Sequence, residues 1–166
     1  MPAKRKSTPA AAEHAPLQLE HFLPYRLSIL SNTVSQAIAD DYQSRFNISV
    51  TEWRVMAVLA RYEGLSAREV AERTAMDKVA VSRALARLVA VGRVDRATHR
   101  TDKRRSVLNL TDAGWAIHDV VAPMARARER EVLAKLDAEE RAWLNRILDK
   151  LQKAPETGSG KRGAGN

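Results

Sequence analysis

The stretch from Asp77 to Gly114, DKVAVSRALARLVAVG (77–92) followed by RVDRATHRTDKRRSVLNLTDAG (93–114), decides the fold. Its first half reads as a helix. Asp77 is a good N-cap residue, Val81, Leu85 and Leu88 recur at three- and four-residue spacing, and Gly92 is a terminator. The opposite face carries Lys78, Ser82, Arg83 and Arg87. After Gly92 the pattern changes to that of two short strands. Val94 and Ala97 lie in one, Val107, Leu108 and Leu110 in the other, and the polar run Thr98–Arg105 lies between them. Residues 77–105 hold Lys78, Arg83, Arg87, Arg93, Arg96, Arg100, Lys103, Arg104 and Arg105 against Asp77, Asp95 and Asp102, most of the chain's formal net charge of +8. A positive field concentrated in one helix and hairpin is the footprint of a polyanion-binding surface, and double-stranded DNA is the polyanion that shape fits best.

Working outward, helical periodicity and capping signals recur on both sides. Upstream, Ser66 with Glu69 predicts a short capped helix ending near Thr74, and Ser49 with Glu52 predicts another carrying Trp53, Val55, Met56, Val58, Leu59 and Tyr62 up to Gly64. Before these, Leu17–Phe46 reads as one long amphipathic helix in which Pro24 either starts the regular part or kinks it. Downstream, Thr111 caps a long helix through Trp115, Val121 and Met124 to Leu136, and Asp137 with Glu140 opens a last helix bearing Trp143, Leu144, Ile147, Leu148 and Leu151. Two short helices joined by a tight turn and followed by a basic hairpin make a winged helix-turn-helix. The expected fold is therefore mainly α with a two-stranded β wing. One domain spans 17–153, its DNA-binding module at 49–110, between disordered tails at 1–16, with Lys4, Arg5 and Lys6, and at 154–166.

Composition narrows the function classes. The 166 residues are 45% apolar, enough for a real core, and contain no cysteine, which removes disulfides, thiolate metal sites and cysteine redox chemistry. No window approaches the run of about 20 apolar residues that a membrane span needs, and a cytoplasmic protein without membrane contact is expected. The four histidines, at 14, 21, 99 and 118, are not at metal-ligand spacing to one another, and no nucleophile elbow, zinc-protease motif or phosphate-binding glycine loop occurs. No catalytic residue, metal ligand or cofactor is expected.

In a winged module the second helix enters the major groove and the hairpin reaches backbone and minor groove. Lys78, Ser82 and Arg83 would face base edges, Arg83 being suited to a bidentate guanine contact, with Arg87 one turn further at phosphate. Taken alone these residues could be an ordinary solvated helix face. The adjoining basic hairpin favours DNA.

Two motifs then bear a family resemblance. Asp102-Lys103-Arg104 followed by the run from Ser106 to Gly114 resembles the wing and exit signature, D-x-R then L-T-x-x-G, of the MarR family of transcriptional regulators, and Val81–Val94 resembles that family's recognition helix. The element order matches from about Leu17 to Leu151. The resemblance implies a homodimer whose α-helical dimerisation region, about 17–46 and 111–153, comes from the N- and C-terminal helices. It also implies that Arg104 enters the minor groove and that Asp102 orients it; Arg100, Lys103 and Arg105, in the same basic hairpin, are expected on DNA with them. The apolar stripes of the first and last two helices, more than one winged module could cover, point to the dimer independently. Ala80, Ala84 and Ala86 make this recognition helix unusually small-sided, which leaves a share of the reading to DNA shape.

The resemblance further implies a repressor on a palindromic operator, released by a small molecule. The run Leu23–Ser31 is similar to members that control breakdown of aromatic acids. His21, Tyr25, Arg26, Trp53, Trp115 and His118 could build a site for a small aromatic carboxylate, with cationic groups beside aromatic walls. Each has an alternative role: Trp53 and Trp115 as core, Tyr25 in packing, the histidines at a surface or interface, Arg26 in an ion pair. A non-specific architectural DNA binder without an effector remains the competing function, because phosphate contacts dominate affinity in both cases.

Overall fold

The computed structural model describes residues 15–98 and 106–153. The rest of the expected tails, and the hairpin tip with Arg100, Asp102, Lys103, Arg104 and Arg105, lie outside the described residues. A 3-10 turn at Leu19–His21 precedes α1 (Leu23–Phe46), α2 (Val50–Arg61), α3 (Ala67–Thr74), α4 (Lys78–Ala90), β1 (Val94–Thr98), β2 (Ser106–Leu110), α5 (Asp112–Leu133) and α6 (Ala138–Gln152). Pro24 lies in the first turn of α1, where its missing N–H interrupts no helical bond, so it starts the helix rather than kinking it. The fifth helix stops at Leu133, short of the expected Leu136. The N–H groups of Lys135 and Leu136 turn back to Val132 and Leu133, and the Arg141 Nε donates to the Leu133 and Leu136 carbonyls.

The chain divides into two compact units within α1, between Thr33 and Val34. In the first, every described residue is exposed. The second contains the core. Ala39 and Tyr42 of α1, Val55, Met56 and Leu59 of α2, Val70 and Ala71 of α3, and Val81, Ala84, Leu85 and Leu88 of α4 close it together with Val94, Leu108, Leu110 and Val121. Each large apolar side chain so buried is worth about 1.5–3 kcal/mol relative to exposure. A bidentate pair joins α5 to the end of α1, with Arg128 Nε and Nη2 at 2.7 and 2.9 Å from the two Asp41 carboxylate oxygens. Hydrogen bonding from Arg128 holds the Asp41 carboxyl below the usual carboxylate range.

The expected caps are present. Ser49 with Glu52, Ser66 with Glu69 and Asp137 with Glu140 form full capping boxes, and Asp77 and Thr111 cap α4 and α5. The wing is an antiparallel pair in register from Val94↔Leu110 to Thr98↔Ser106. Its root is anchored twice: the Leu108 N–H donates to the Leu65 carbonyl at 2.8 Å, and the Asn109 Oδ1 accepts the Gly64 N–H at 3.0 Å. Gly92, at φ +71°, turns the chain out of α4 into β1.

The exit from the wing explains its signature residues. Thr111 donates through Oγ1 to the Gly92 carbonyl and through its N–H to the Arg93 carbonyl, while Oγ1 accepts the Gly114 N–H. This lays the first turn of α5 on the Arg93 peptide, where a Cβ on Gly114 would collide with the Arg93 carbonyl oxygen. Gly114→Ala is expected to destabilise the protein by about 1–3 kcal/mol through overpacking against backbone, read from denaturant unfolding. An unchanged unfolding midpoint would show that this junction yields.

Candidate nucleic-acid interface

The recognition helix α4 is fixed at its start by Asp77, whose Oδ1 accepts the Val79 and Ala80 N–H groups at 3.0 and 2.9 Å. Inward it buries Val81, Ala84, Leu85 and Leu88. Outward, Lys78, Ser82, Arg83 and Arg87 are all exposed, on the face the sequence predicts. Arg83, Ala80 and Ala84 border an open groove of about 270 Å³ whose other wall is the start of α2, Ser49 and Thr51, with Glu52 at its base. The exposed guanidinium of Arg83 and the hydroxyls of Ser49 and Thr51 are groups of the kind that contact phosphate oxygens.

Arg87 is engaged within the chain. Its Nε lies 3.2 Å from the Oε1 of Glu52, an ion pair without the alignment of a hydrogen bond. One Nη donates to the Asn47 Oδ1 at 3.2 Å. Glu52 is only 2% exposed, and its other oxygen accepts the Ser49 N–H at 2.7 Å. Arg93, a second member of the basic block, is also turned inward, its Nη2 donating to the Phe46 carbonyl at 2.6 Å. The block therefore divides. Arg93 and the half-exposed Arg87 reach the C-terminal end of α1, and Lys78, Arg83 and, on β1, Arg96 are exposed to solvent. Arg96 has no assigned role in the sequence reading beyond its charge; its position on the exposed first strand of the wing is what marks it.

The residues expected around an effector fall into two groups. Trp53, His118 and Trp115 come together: the Trp53 and His118 rings stack at 5.8 Å, and Trp115 meets His118 edge-on at 5.2 Å. His118 Nδ1 lies 3.1 Å from the Asp119 carboxylate. His21, Tyr25 and Arg26 belong to the first unit, where each is exposed. Sequence reasoning missed Tyr42, Ser35 and Arg54, which with Trp53 line a cavity of about 130 Å³. Arg54 Nη2 donates to the Ser35 Oγ at 2.7 Å. The buried Tyr42 hydroxyl has no hydrogen-bond partner among the described residues, and burial pushes its pKa up to about 12. An orphaned buried hydroxyl costs about 1–3 kcal/mol. The available signal was an arginine at 54 inside an otherwise apolar helix pattern.

A capped helix, a tight turn, an outward-facing second helix and an antiparallel hairpin rooted beside it define a winged helix-turn-helix protein. Residues 46–105 match the model of the MarR family. An HTH-type transcriptional repressor of Mycobacterium tuberculosis is 29% identical over 141 residues, 84% of this chain and 96% of the relative. The HTH-type transcriptional regulator BilQ of Clostridium symbiosum is 30% identical over 98 residues, 59% of this chain and 68% of the relative. The crystal structure of a MarR/EmrR family regulator from Acinetobacter superimposes with a TM-score of 0.74 at 27% identity, over 82% of this chain and 96% of that one. A mutant MarR of Escherichia coli complexed with operator DNA gives 0.68 at 26% identity, over 82% and 99%. The chain belongs to the MarR family. Its relatives are named as regulators, consistent with the expectation that it is not an enzyme.

Removing Arg87 tests the inward pairing. Arg87→Ala is expected to cost about 1–3 kcal/mol of stability by leaving the Glu52 carboxylate without its cation, measured by denaturant unfolding. Adding Glu52→Gln should recover part of the loss. Two fully additive losses would rule out the coupling.

Proposed function

We propose that this protein is a homodimeric, sequence-specific transcriptional repressor that binds a palindromic operator and is released by a small aromatic carboxylate. The observation that carries the DNA-binding part is the outward presentation of Lys78, Ser82 and Arg83 on a helix locked at its start by Asp77. Arg83 takes a base edge, Lys78 and Ser82 flank it, and Arg87 and Arg96 neighbour phosphate. The wing residues Arg100, Lys103, Arg104 and Arg105 extend along the backbone, with Arg104 in the minor groove and Asp102 orienting it. That a related MarR of E. coli has been solved with operator DNA supports a DNA duplex as the partner. That a relative of nearly the same length is a repressor supports the sign of regulation.

The dimer reading rests on uncovered apolar faces. Trp143, Leu144, Ile147 and Leu151 are exposed along one side of α6, a helix that buries none of its own residues. In the first unit Leu23, Leu27 and Leu30 are exposed in the same way. A second copy would cover such faces and set two recognition helices about 34–36 Å apart, one turn of DNA.

Titration of a palindromic duplex selected by the protein against a scrambled duplex, at about 0.15 M salt, tests specificity. The expected affinity ratio is at least roughly 10³, and a smaller ratio favours an architectural binder. Arg83→Ala should relax base preference, while Arg104→Ala should weaken binding to all duplexes and lower the salt slope by about one.

The effector reading draws on the aromatic walls of Trp53, Trp115 and His118 and on the cation of Arg54 beside the Tyr42 hydroxyl. His21, Tyr25 and Arg26, the other residues expected to serve an effector, are exposed in the first unit. The 130 Å³ cavity is smaller than the about 300–1,000 Å³ of ordinary ligand sites. Entry of a planar acid therefore requires a shift of Trp53 or Arg54, the kind of movement that can change DNA affinity. A panel of hydroxylated aromatic acids and their thioesters should include a member that weakens operator binding and changes tryptophan fluorescence. If none alters DNA affinity, the aromatic-acid effector is wrong.

A further inference from the structure

The outward face of α4 carries a feature that its basic residues do not account for. At 3.6 residues per turn, Val79, Arg83, Ala86 and Ala90 fall within about 40° of one line along the helix. That line runs opposite the buried Val81, Leu85 and Leu88. All four residues are exposed, Val79 at 55%. A lone exposed valine elsewhere on a surface would need no explanation. This one stands at the centre of a solvent-facing stripe, where a surface helix ordinarily places polar side chains. The core does not use it, since α4 already buries its inward residues, and helix propensity does not favour it, since valine is a poorer helix former than alanine.

The side chain is also held in one direction. Asp77 Oδ1 accepts the Val79 N–H at 3.0 Å, which fixes the first turn, and a β-branched side chain in a helix has one strongly preferred rotamer. Its neighbours on the same face are Ser82 and Arg83. Alanines at 86 and 90 leave room for close approach of whatever surface α4 meets. In a major groove the apolar group available to such a side chain is the C5 methyl of thymine.

We propose that Val79 is a specificity-determining residue that reads a thymine through its methyl group, beside the base edge taken by Arg83. The proposal rests on the DNA-binding reading above and deepens it. Four residues along a helix advance about 6 Å, close to two base steps, which places the thymine within two steps of the base that Arg83 faces. The recognition helix then reads by one hydrogen-bonding fork and one apolar contact, and its small side chains serve approach rather than readout.

The test uses the full chain and a duplex enriched by it from a random library. Thymines of one half-site are replaced one at a time by deoxyuridine, which lacks only the methyl, and each duplex is titrated with wild-type protein and with Val79→Ala. At one position the replacement should weaken wild-type binding about fourfold, the worth of one buried methylene-sized contact. Val79→Ala should lose a similar factor on the thymine duplex and nothing further on the deoxyuridine one. If every replacement is silent, or if Val79→Ala keeps the full discrimination against deoxyuridine, Val79 does not read thymine. That result is distinct from failure of the underlying reading, in which no duplex is enriched and both proposals fall. Alanine favours the helix at this exposed position, so the variant is expected to melt no lower than wild type.

Discussion

A nearly buried carboxylate, that of Glu52, holds the DNA-binding module in one arrangement. One oxygen closes the capping box at the start of α2; the other faces the Arg87 guanidinium of α4. Arg87 and Arg93 then reach the last carbonyls of α1 through Phe46 and Asn47. Three helix ends are thus fixed at one place by charge. The energy of folding comes mainly from elsewhere, because Val55, Met56 and Leu59 against Val81, Leu85 and Leu88 bury far more apolar surface than one half-exposed pair contributes. A displacement of α4 along α2 would leave the Glu52 carboxylate buried without its cation, a cost added to that of disturbing a close-packed core.

What could be read in the chain follows from the range of the interactions. The capping boxes are contacts between residues three apart, and Ser49, Ser66 and Asp137 announced them by type and spacing alone. Asp77, Gly92 and Thr111 were legible for the same reason. The two strands and the inward stripe of α4 followed from periodicity. By contrast, Arg87 meets Asn47 across 40 residues, and Trp53 meets His118 across a still longer gap. No local pattern encodes which surface arginine turns inward. Nothing in the sequence pattern of 17–46 showed that the Tyr42 hydroxyl would be buried without a hydrogen-bond partner among the described residues. The glycine at 114 could be recognised as part of a motif, but its physical reason, the Arg93 carbonyl beneath it, appears only in three dimensions.

The basic block serves the fold as well as the surface that faces DNA in the proposed reading. Counterion release scales with the number of phosphates neutralised. Glu52 offsets part of the charge of Arg87, which stays half exposed, whereas Arg93 donates to a neutral carbonyl and keeps its full charge. The first turn of α4 is held by Asp77, and Val79, Arg83 and Ala86 are exposed on its outward face. Arg87 ties α4 to the start of α2, and Arg87 and Arg93 together tie the end of α4 and the turn after it to the end of α1, so the direction in which the outward face of α4 points is set by contacts at its far end as well as by the Asp77 cap.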